Sequence, residues 1–351
     1  MSDNTKPERP NLNIVKPQTT MPQPEAERVN VDNYVRAETA IQFKRIVKMA
    51  KGLGRLSHGR MPVPINKQHI ARMNRDTLYS SGLVNISEGA TLTIPESGDR
   101  YFSVAIINED NYTTAIFHDA SDYLLTQADH DTMYVAVIVR VLVDPTKDQD
   151  LLLAHQLQDQ VSLLSHQLSH QLPHQTSNET EYSIPNFDRE SHKTTHQLLQ
   201  QLGAGLKDAA YCNGKKHEIR ETRHLLCTAF GWGGLPTYEV TYINSSMARP
   251  VGKYQLTLKK VPVDGFWSIS IYNADGFFEE NEYVSYSTNS VVAKSDSKGA
   301  CTINFGPVDE GQDNFLYVMN GWSYVVRFYQ PRAELLNGEW QMPSPEPLGK
   351  L

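Results

Sequence analysis

Polar and apolar residues alternate strictly from Phe266 to Tyr272. Phe266, Ser268, Ser270 and Tyr272 fall on one side of such a chain, and Trp267, Ile269 and Ile271 fall on the other. A period of two predicts a strand with one apolar face and one mixed face. Asn273-Ala274-Asp275-Gly276 supplies turn chemistry directly after it. We read this stretch as the central strand of a β-sandwich. Further strand patterns fall at 238–242, 254–260, 291–294, 301–305, 317–318 and 324–329. So many short strands in about a hundred residues predict a sandwich, jelly-roll-like in character.

An earlier block repeats the signal. Strand patterns at 82–86, 91–94, 101–108 and 113–118 are bounded by Gly, Pro, Asn or Asp, which predicts another sandwich. The apolar run 134–143 reads as a central strand covered on both faces, closed by Asp144-Pro145. Ahead of this block, Val35, Ala37, Ile41, Ile46, Val47 and Ala50 recur near helical spacing after Asp32 or Asn33 as N-cap, and Gly52 and Gly54 end the pattern. Between the blocks Gln, His and Leu dominate, and helices are predicted over 150–172 and 192–206. The expected organisation is mainly β: a disordered tail over 1–28, a helix within 29–60, a β-sandwich over 61–147, a helical insert over 148–230 and a jelly-roll-like sandwich over 231–347.

Bulk properties narrow the function classes. The chain has 351 residues, 39% hydrophobic and 21% charged, which suits a globular protein of more than one domain. Its net charge of -7 argues against binding nucleic acid or an anionic membrane through a general basic face. No stretch is long and apolar enough to predict a membrane span, and no apolar export signal is visible, so a cytoplasmic location is expected. The three cysteines, Cys212, Cys227 and Cys301, form no disulfide framework by number and are expected to be buried apolar residues.

Several clusters could carry chemistry. Asn74-Arg75-Asp76-Thr77-Leu78-Tyr79 brings an amide, a guanidinium, a carboxylate and a phenol into a short run. Arg75 could grip an anion and Asp76 could serve as acid, base or ligand; the competing reading is an ordinary ion pair on a sandwich rim. On a strand, Arg75 and Tyr79 would share a face while Asp76 points away. Asn108-Glu109-Asp110-Asn111-Tyr112 could hold a metal or an acid/base pair, or could simply turn the chain. Tyr272, Tyr324, Arg327 and Tyr329 could wall an aromatic cleft, or form a Tyr-rich sheet face. His166, His170 and His174 stand at chelating intervals, as do His192 and His196. Pro173 breaks the first series, and a solvated polar face is the expectation for this biased tract, so no metal site is assigned. Gly231-Trp232-Gly233-Gly234-Leu235-Pro236 lacks the spacing of a phosphate loop and reads as a tight entry into the second sandwich, with Trp232 as a packing anchor.

Arg72–Ser80, Asn108–Tyr112, Leu142-Val143-Asp144-Pro145, 231–236, 261–278 with Asn289-Ser290, and Gly321-Trp322 through Arg327 to Glu334 together resemble two fused families of unknown function, numbers 1254 (N-terminal) and 1214 (C-terminal). The resemblance spans roughly residues 31–347. It implies a β-sandwich, a helical subdomain and a C-terminal jelly-roll-like domain, and it implies no catalytic residues. Two features depart from the family: the His-Gln-Leu tract looks like a local expansion, and many relatives look exported.

The expected site lies where the two β-domains meet. Asp76 and Glu109 are its candidate catalytic residues, and Asn74, Arg75, Tyr79, Asp110, Tyr112, Tyr272 and Arg327 its candidate ligand-binding residues. The expected partner is a small polar or carbohydrate-like molecule, with cofactors unassigned. The alternative is a non-catalytic assembly protein. On either reading a homo-oligomer is expected.

Overall fold

A computed structural model describes residues 25–68, 71–166, 182–206, 208–245 and 249–349. The protein is mainly β. Its N-terminal sandwich joins a five-stranded antiparallel sheet to a three-stranded one. The larger sheet contains β1 (Leu56–His58), β2 (Thr77–Asn85), β4 (Phe102–Asn108), β5 (Thr113–Phe117) and β7 (Tyr134–Leu142), in the order β1-β2-β7-β4-β5. The smaller contains β3 (Ala90–Ile94), β6 (Ser121–Leu125) and β8 (Ser162–Ser165), in the order β6-β3-β8. Alternate residues of both sheets, among them Leu78, Leu92, Val104, Ile106, Val137 and Val139, enclose one apolar core. Burying such side chains stabilises the fold by about 1.5–3 kcal/mol each.

The C-terminal sandwich is built from two four-stranded sheets. One has the order β12-β11-β15-β9, from β9 (Val240–Asn244), β11 (Trp267–Tyr272), β12 (Ser287–Asn289) and β15 (Ser323–Tyr329). The other has the order β14-β13-β10-β16, from β10 (Tyr254–Leu258), β13 (Cys301–Gly306), β14 (Phe315–Tyr317) and β16 (Glu346–Pro347), with β13 and β14 parallel. Trp267, Ile269 and Ile271 enter this core with Phe305, Trp322 and Phe328, as their alternation predicts.

The outer face of the five-stranded sheet is covered in two halves. At one end α1 (Tyr34–Ala50) lays Ala40, Phe43, Ile46 and Val47 on Leu83, Ile107, Ala136 and Ile138. At the other end the C-terminal sandwich covers Tyr101, Ala105 and Leu142 with Val240, Phe266 and Tyr329. Strand β7 is therefore buried on both faces, as its continuous apolar run predicts.

Helices fill the stretch between the sandwiches only in part. Asp148–Gln160 (α3), Arg189–Gly203 (α4) and Glu221–Gly231 (α5) are helical. The predicted helix over 150–172 is left at Gln160, and its last part, 167–172, lies outside the described residues. Val161 turns extended and enters the first core, and the chain then pairs with β3, where Leu163 packs on that core. Core burial there outweighs helical propensity. Residues 291–294, predicted as a strand, form a turn instead, capped by Asn289 Oδ1 accepting from Val291 N and Val292 N. Strands β1, β6, β12 and β16 were not predicted.

The cysteine expectation is also corrected. Cys212 and Cys227 form a disulfide with their Cα atoms 5.7 Å apart, and Cys301 alone is free and buried. His192 and His196 are not on a solvated face. His192 Nε2 lies 2.8 Å from Glu38 Oε2, and Tyr34 Oη meets His196 Nδ1 at 2.6 Å. This polar cluster joins α4 to α1. His170 and His174 lie outside the described residues.

Candidate functional site

The period-two rule builds the site from two facing sheets. On the five-stranded sheet, Tyr79 pairs with Arg140, and Arg140 with Ser103, one row across β2, β7 and β4. On the opposing sheet, Tyr242, Arg327, Ser268 and Asn289 form a row across β9, β15, β11 and β12. These are the faces that do not enter either core, so polar groups collect where the sandwiches meet. Tyr242 lies among Arg327, Tyr79, Arg140 and Tyr272.

The approach to β2 crosses this junction. Asn74 Oδ1 accepts from Asp76 N, and Asn74 Nδ2 donates to Tyr329 Oη at 2.7 Å and to Tyr79 Oη at 3.4 Å. This turn aims Asp76 into the junction and Arg75 away from it. Arg75 donates to Val63 O at 2.6 Å and lies over the rings of Phe278 and Tyr286. The expectation that Arg75 shares a strand face with Tyr79 is thus corrected, because the strand begins only at Thr77.

The two guanidiniums are held differently. Arg327 is engaged at both terminal nitrogens: Nη1 donates to Ser270 Oγ at 3.1 Å, and Nη2 to Arg72 O at 2.8 Å and to Tyr272 Oη at 3.0 Å. Tyr272 in turn donates to Met73 O. Arg140 lies over the Tyr79 ring, 5.3 Å from its centroid, and Nη2 donates to Gly233 O at 3.0 Å. Its Nη1 is buried without a hydrogen-bond partner among the described residues. The same holds for Asp76 Oδ2 and Ser268 Oγ.

Burial pushes the Asp76 carboxyl above the usual range, and the neighbouring Arg327, Ser268, Asn289 and Arg75 only partly offset it. Tyr79 moves the other way. Burial raises a phenol, but Arg140 and the hydrogen bonds from Asn74 and Thr77 outweigh it and leave Tyr79 below its ordinary value. Tyr79 itself is 38% exposed. Asn74, Ile116, His118 and Tyr242 are half-buried.

At the rim, Tyr101 Oη donates to Glu239 Oε1 at 2.6 Å, and His118 Nε2 meets Glu239 Oε2 at 3.1 Å while its Nδ1 meets Phe102 O at 2.8 Å. Both ring nitrogens face acceptors, which favours the imidazolium. Burial lowers the His118 pKa, but the hydrogen bond and charge of Glu239 more than offset this and raise it. A raised native value means that the bond stabilises fully below the unfolded-state value, about 6.5, and that this is lost as pH rises through the native value. Urea midpoints of the wild type should therefore fall from pH 6 to pH 8. His118→Gln should flatten that slope, and an unchanged slope would exclude His118 as its source.

The predicted residues separate into two groups. Asn74, Asp76, Tyr79, Tyr272 and Arg327 come together, with Arg75 at the margin. Glu109, Asp110 and Tyr112 lie at the far end of β4 and β7, roughly 30 Å from Asp76 at the strand rise. There Arg36 bridges Glu109 at 3.5 Å and Asp110 at 2.8 Å, and Tyr112 stacks on His224. One crevice does not gather Asp76 and Glu109. Tyr324 also leaves the group, since its parity points it into the core beside Phe305 and Trp322. Arg140, Tyr242, His118 and Glu239 were not predicted as site residues. Arg140 had a signal, a lone charge inside an apolar strand.

A separate surface hollow of about 660 Å³ is lined by Tyr324, Trp340, Met342 and Pro343. Arg249 is its one charged lining residue among those described. It offers little chemistry beside the cleft.

Two family models match the chain: a protein of unknown function, DUF1254, over residues 53–165, and another, DUF1214, over residues 244–333. The chain joins a DUF1254 domain to a DUF1214 domain. No curated protein matches it. The crystal structure of the VPA0106 protein from Vibrio parahaemolyticus is similar in fold, with a TM-score of 0.66 and 19% identity, covering 92% of this chain and 100% of that one. An uncharacterised protein from Burkholderia cenocepacia gives a TM-score of 0.54 and 14% identity, covering 90% of this chain and 86% of its own. Both likenesses concern fold alone. The two rows fall in different matches: Asn74, Asp76, Tyr79 and Arg140 in the DUF1254 match, and Ser268, Tyr272, Arg327 and Tyr329 in the DUF1214 match.

Proposed function

We propose that this protein binds a small polar molecule in the cleft between its DUF1254 and DUF1214 domains, and that Tyr79 and Arg140 are the groups that touch it. The observation that carries the reading is the pairing of a buried guanidinium nitrogen lacking a partner among the described residues with a reachable phenol beside it. The terminal nitrogens of buried arginines normally find hydrogen-bond partners, as both of Arg327's do. Arg140 departs from that rule beside the partly exposed Tyr79.

Glu109, Asp110 and Tyr112 have no part in this proposal.

The Cys212–Cys227 bond is of a kind that persists in oxidising compartments, which supports a location outside the reducing cytoplasm that the sequence suggested. Among the described residues no helix is long and apolar enough to cross a membrane.

Crystals soaked with a mixed fragment set of acids, amines, sugars and neutral aromatics test the site. Electron density against Tyr79 and Arg140 is the expected result. Fragments seated only elsewhere, for instance against Trp340, would remove the cleft from consideration.

A further inference from the structure

Resting on the cleft reading above, we infer that the molecule held there is a small carboxylate, with one oxygen accepting from Arg140 Nη1 and the other from the Tyr79 hydroxyl. Charge and donor geometry lead to this class. The junction buries two guanidiniums, Arg140 and Arg327, against one carboxylate, Asp76. The other acid at this junction, Glu239, is matched by His118 and Tyr101. Asp76 of the DUF1254 domain lies beside Arg327 of the DUF1214 domain and counters its charge, so the uncompensated positive charge is that of Arg140. Its aromatic neighbours lower the cost of burying it but do not cancel it. An anion of single charge would.

Donor count then separates the anions. Asn74 Nδ2 donates to the Tyr79 oxygen, so the phenol keeps its own hydrogen to give. Arg140 has spent Nη2 on Gly233 O and has Nη1 to give. Two neighbouring donors match the two oxygens of a planar carboxylate. A phosphate carries up to two charges and three terminal oxygens, more than these groups answer. A neutral sugar would leave the guanidinium unmatched. Gly233 helps to set this geometry: its φ of 72° is left-handed, and a Cβ there would meet Ile107 Cδ1 at 3.3 Å. The loop after α5 thus presents the carbonyl that orients Arg140.

Calorimetric titration of the full chain with acetate, lactate, inorganic phosphate and glucose at fixed ionic strength tests this. Acetate or lactate should bind saturably, and phosphate and glucose should neither bind nor compete. Arg140→Met should weaken carboxylate binding about tenfold or more, and Tyr79→Phe about fivefold. Arg140→Lys, which keeps the charge and loses the fork, should fall between wild type and Arg140→Met, and it serves as the decisive variant if Arg140→Met fails to fold by circular dichroism. Phosphate or glucose binding with the same dependence on Arg140 would overturn the carboxylate class and leave the cleft standing. Carboxylate binding indifferent to both Arg140 variants, or no binding by any of the four probes, would overturn the inference. The fragment soak then judges the cleft separately.

Discussion

Replacing Arg327 with Met is expected to lower the unfolding free energy by about 3–5 kcal/mol, because it leaves a buried carboxylate without its counter-charge. Asp76 is 2% exposed and Arg327 4% exposed, so water does not take over the role of the missing partner. Ser270 Oγ, Tyr272 Oη and Arg72 O lose a charged donor at the same time. Methionine matches the length of the stem, so packing loss contributes little. The double variant Arg327→Met with Asp76→Asn separates charge from shape. Removing both charges should recover about 1–3 kcal/mol of the loss. Urea unfolding followed by tryptophan fluorescence measures both. If the double variant is no more stable than Arg327→Met, the two side chains are not coupled, and Asp76 owes its environment to burial alone.

That pair shows how far the residues themselves could be read. Period-two alternation placed Ser268, Ser270 and Tyr272 on one face of β11 and Trp267, Ile269 and Ile271 on the other, and both sandwiches follow from such patterns. Applied to β15, the same rule separates Arg327 and Tyr329 from Tyr324, which belongs to the core. The lone charge of Arg140 inside the apolar run of β7 marks a site, since a buried guanidinium needs partners. Which partners it has was beyond local pattern: Gly233 is 93 residues away, and the facing sheet belongs to the other domain. The same limit hid His118 and Glu239, which lie 121 residues apart. Local composition also misdirected. The acids at Glu109 and Asp110 resemble a site but end a strand and pair with Arg36 on α1. Strands β1 and β6 escaped notice because each is paired on one side only and carries a polar or very short pattern.

Reduction of the Cys212–Cys227 disulfide is expected to cost about 3 kcal/mol, the loop-closure value for a bridge of this span. The bond joins residues 15 apart and ties the loop before α5 to the middle of that helix. The buried His224, on the same helix, already bridges the two parts, with Nδ1 at 2.8 Å from Cys212 O and Nε2 at 2.9 Å from Asp110 O. Arg223 Nε donates to Ala210 O, a second tie. These contacts keep the fold in place when the bond opens, so the loss falls on α5 and on what α5 positions. Thr228 Oγ1 accepts from Asn111 Nδ2, and Asn111 Oδ1 accepts from Gly233 N. Gly233 O then receives Arg140 Nη2. A chain of hydrogen bonds thus runs from the disulfide-bonded helix to the guanidinium in the cleft. Urea midpoints with and without reductant, set beside a Cys212→Ala, Cys227→Ala double variant, measure the stability term. Reductant should shift the wild-type midpoint down to that of the double variant and leave the variant unmoved. A wild-type midpoint that ignores reductant while free thiols are detected would show that the bridge holds no stability, and that the hydrogen bonds of His224 and Arg223 alone fix the loop.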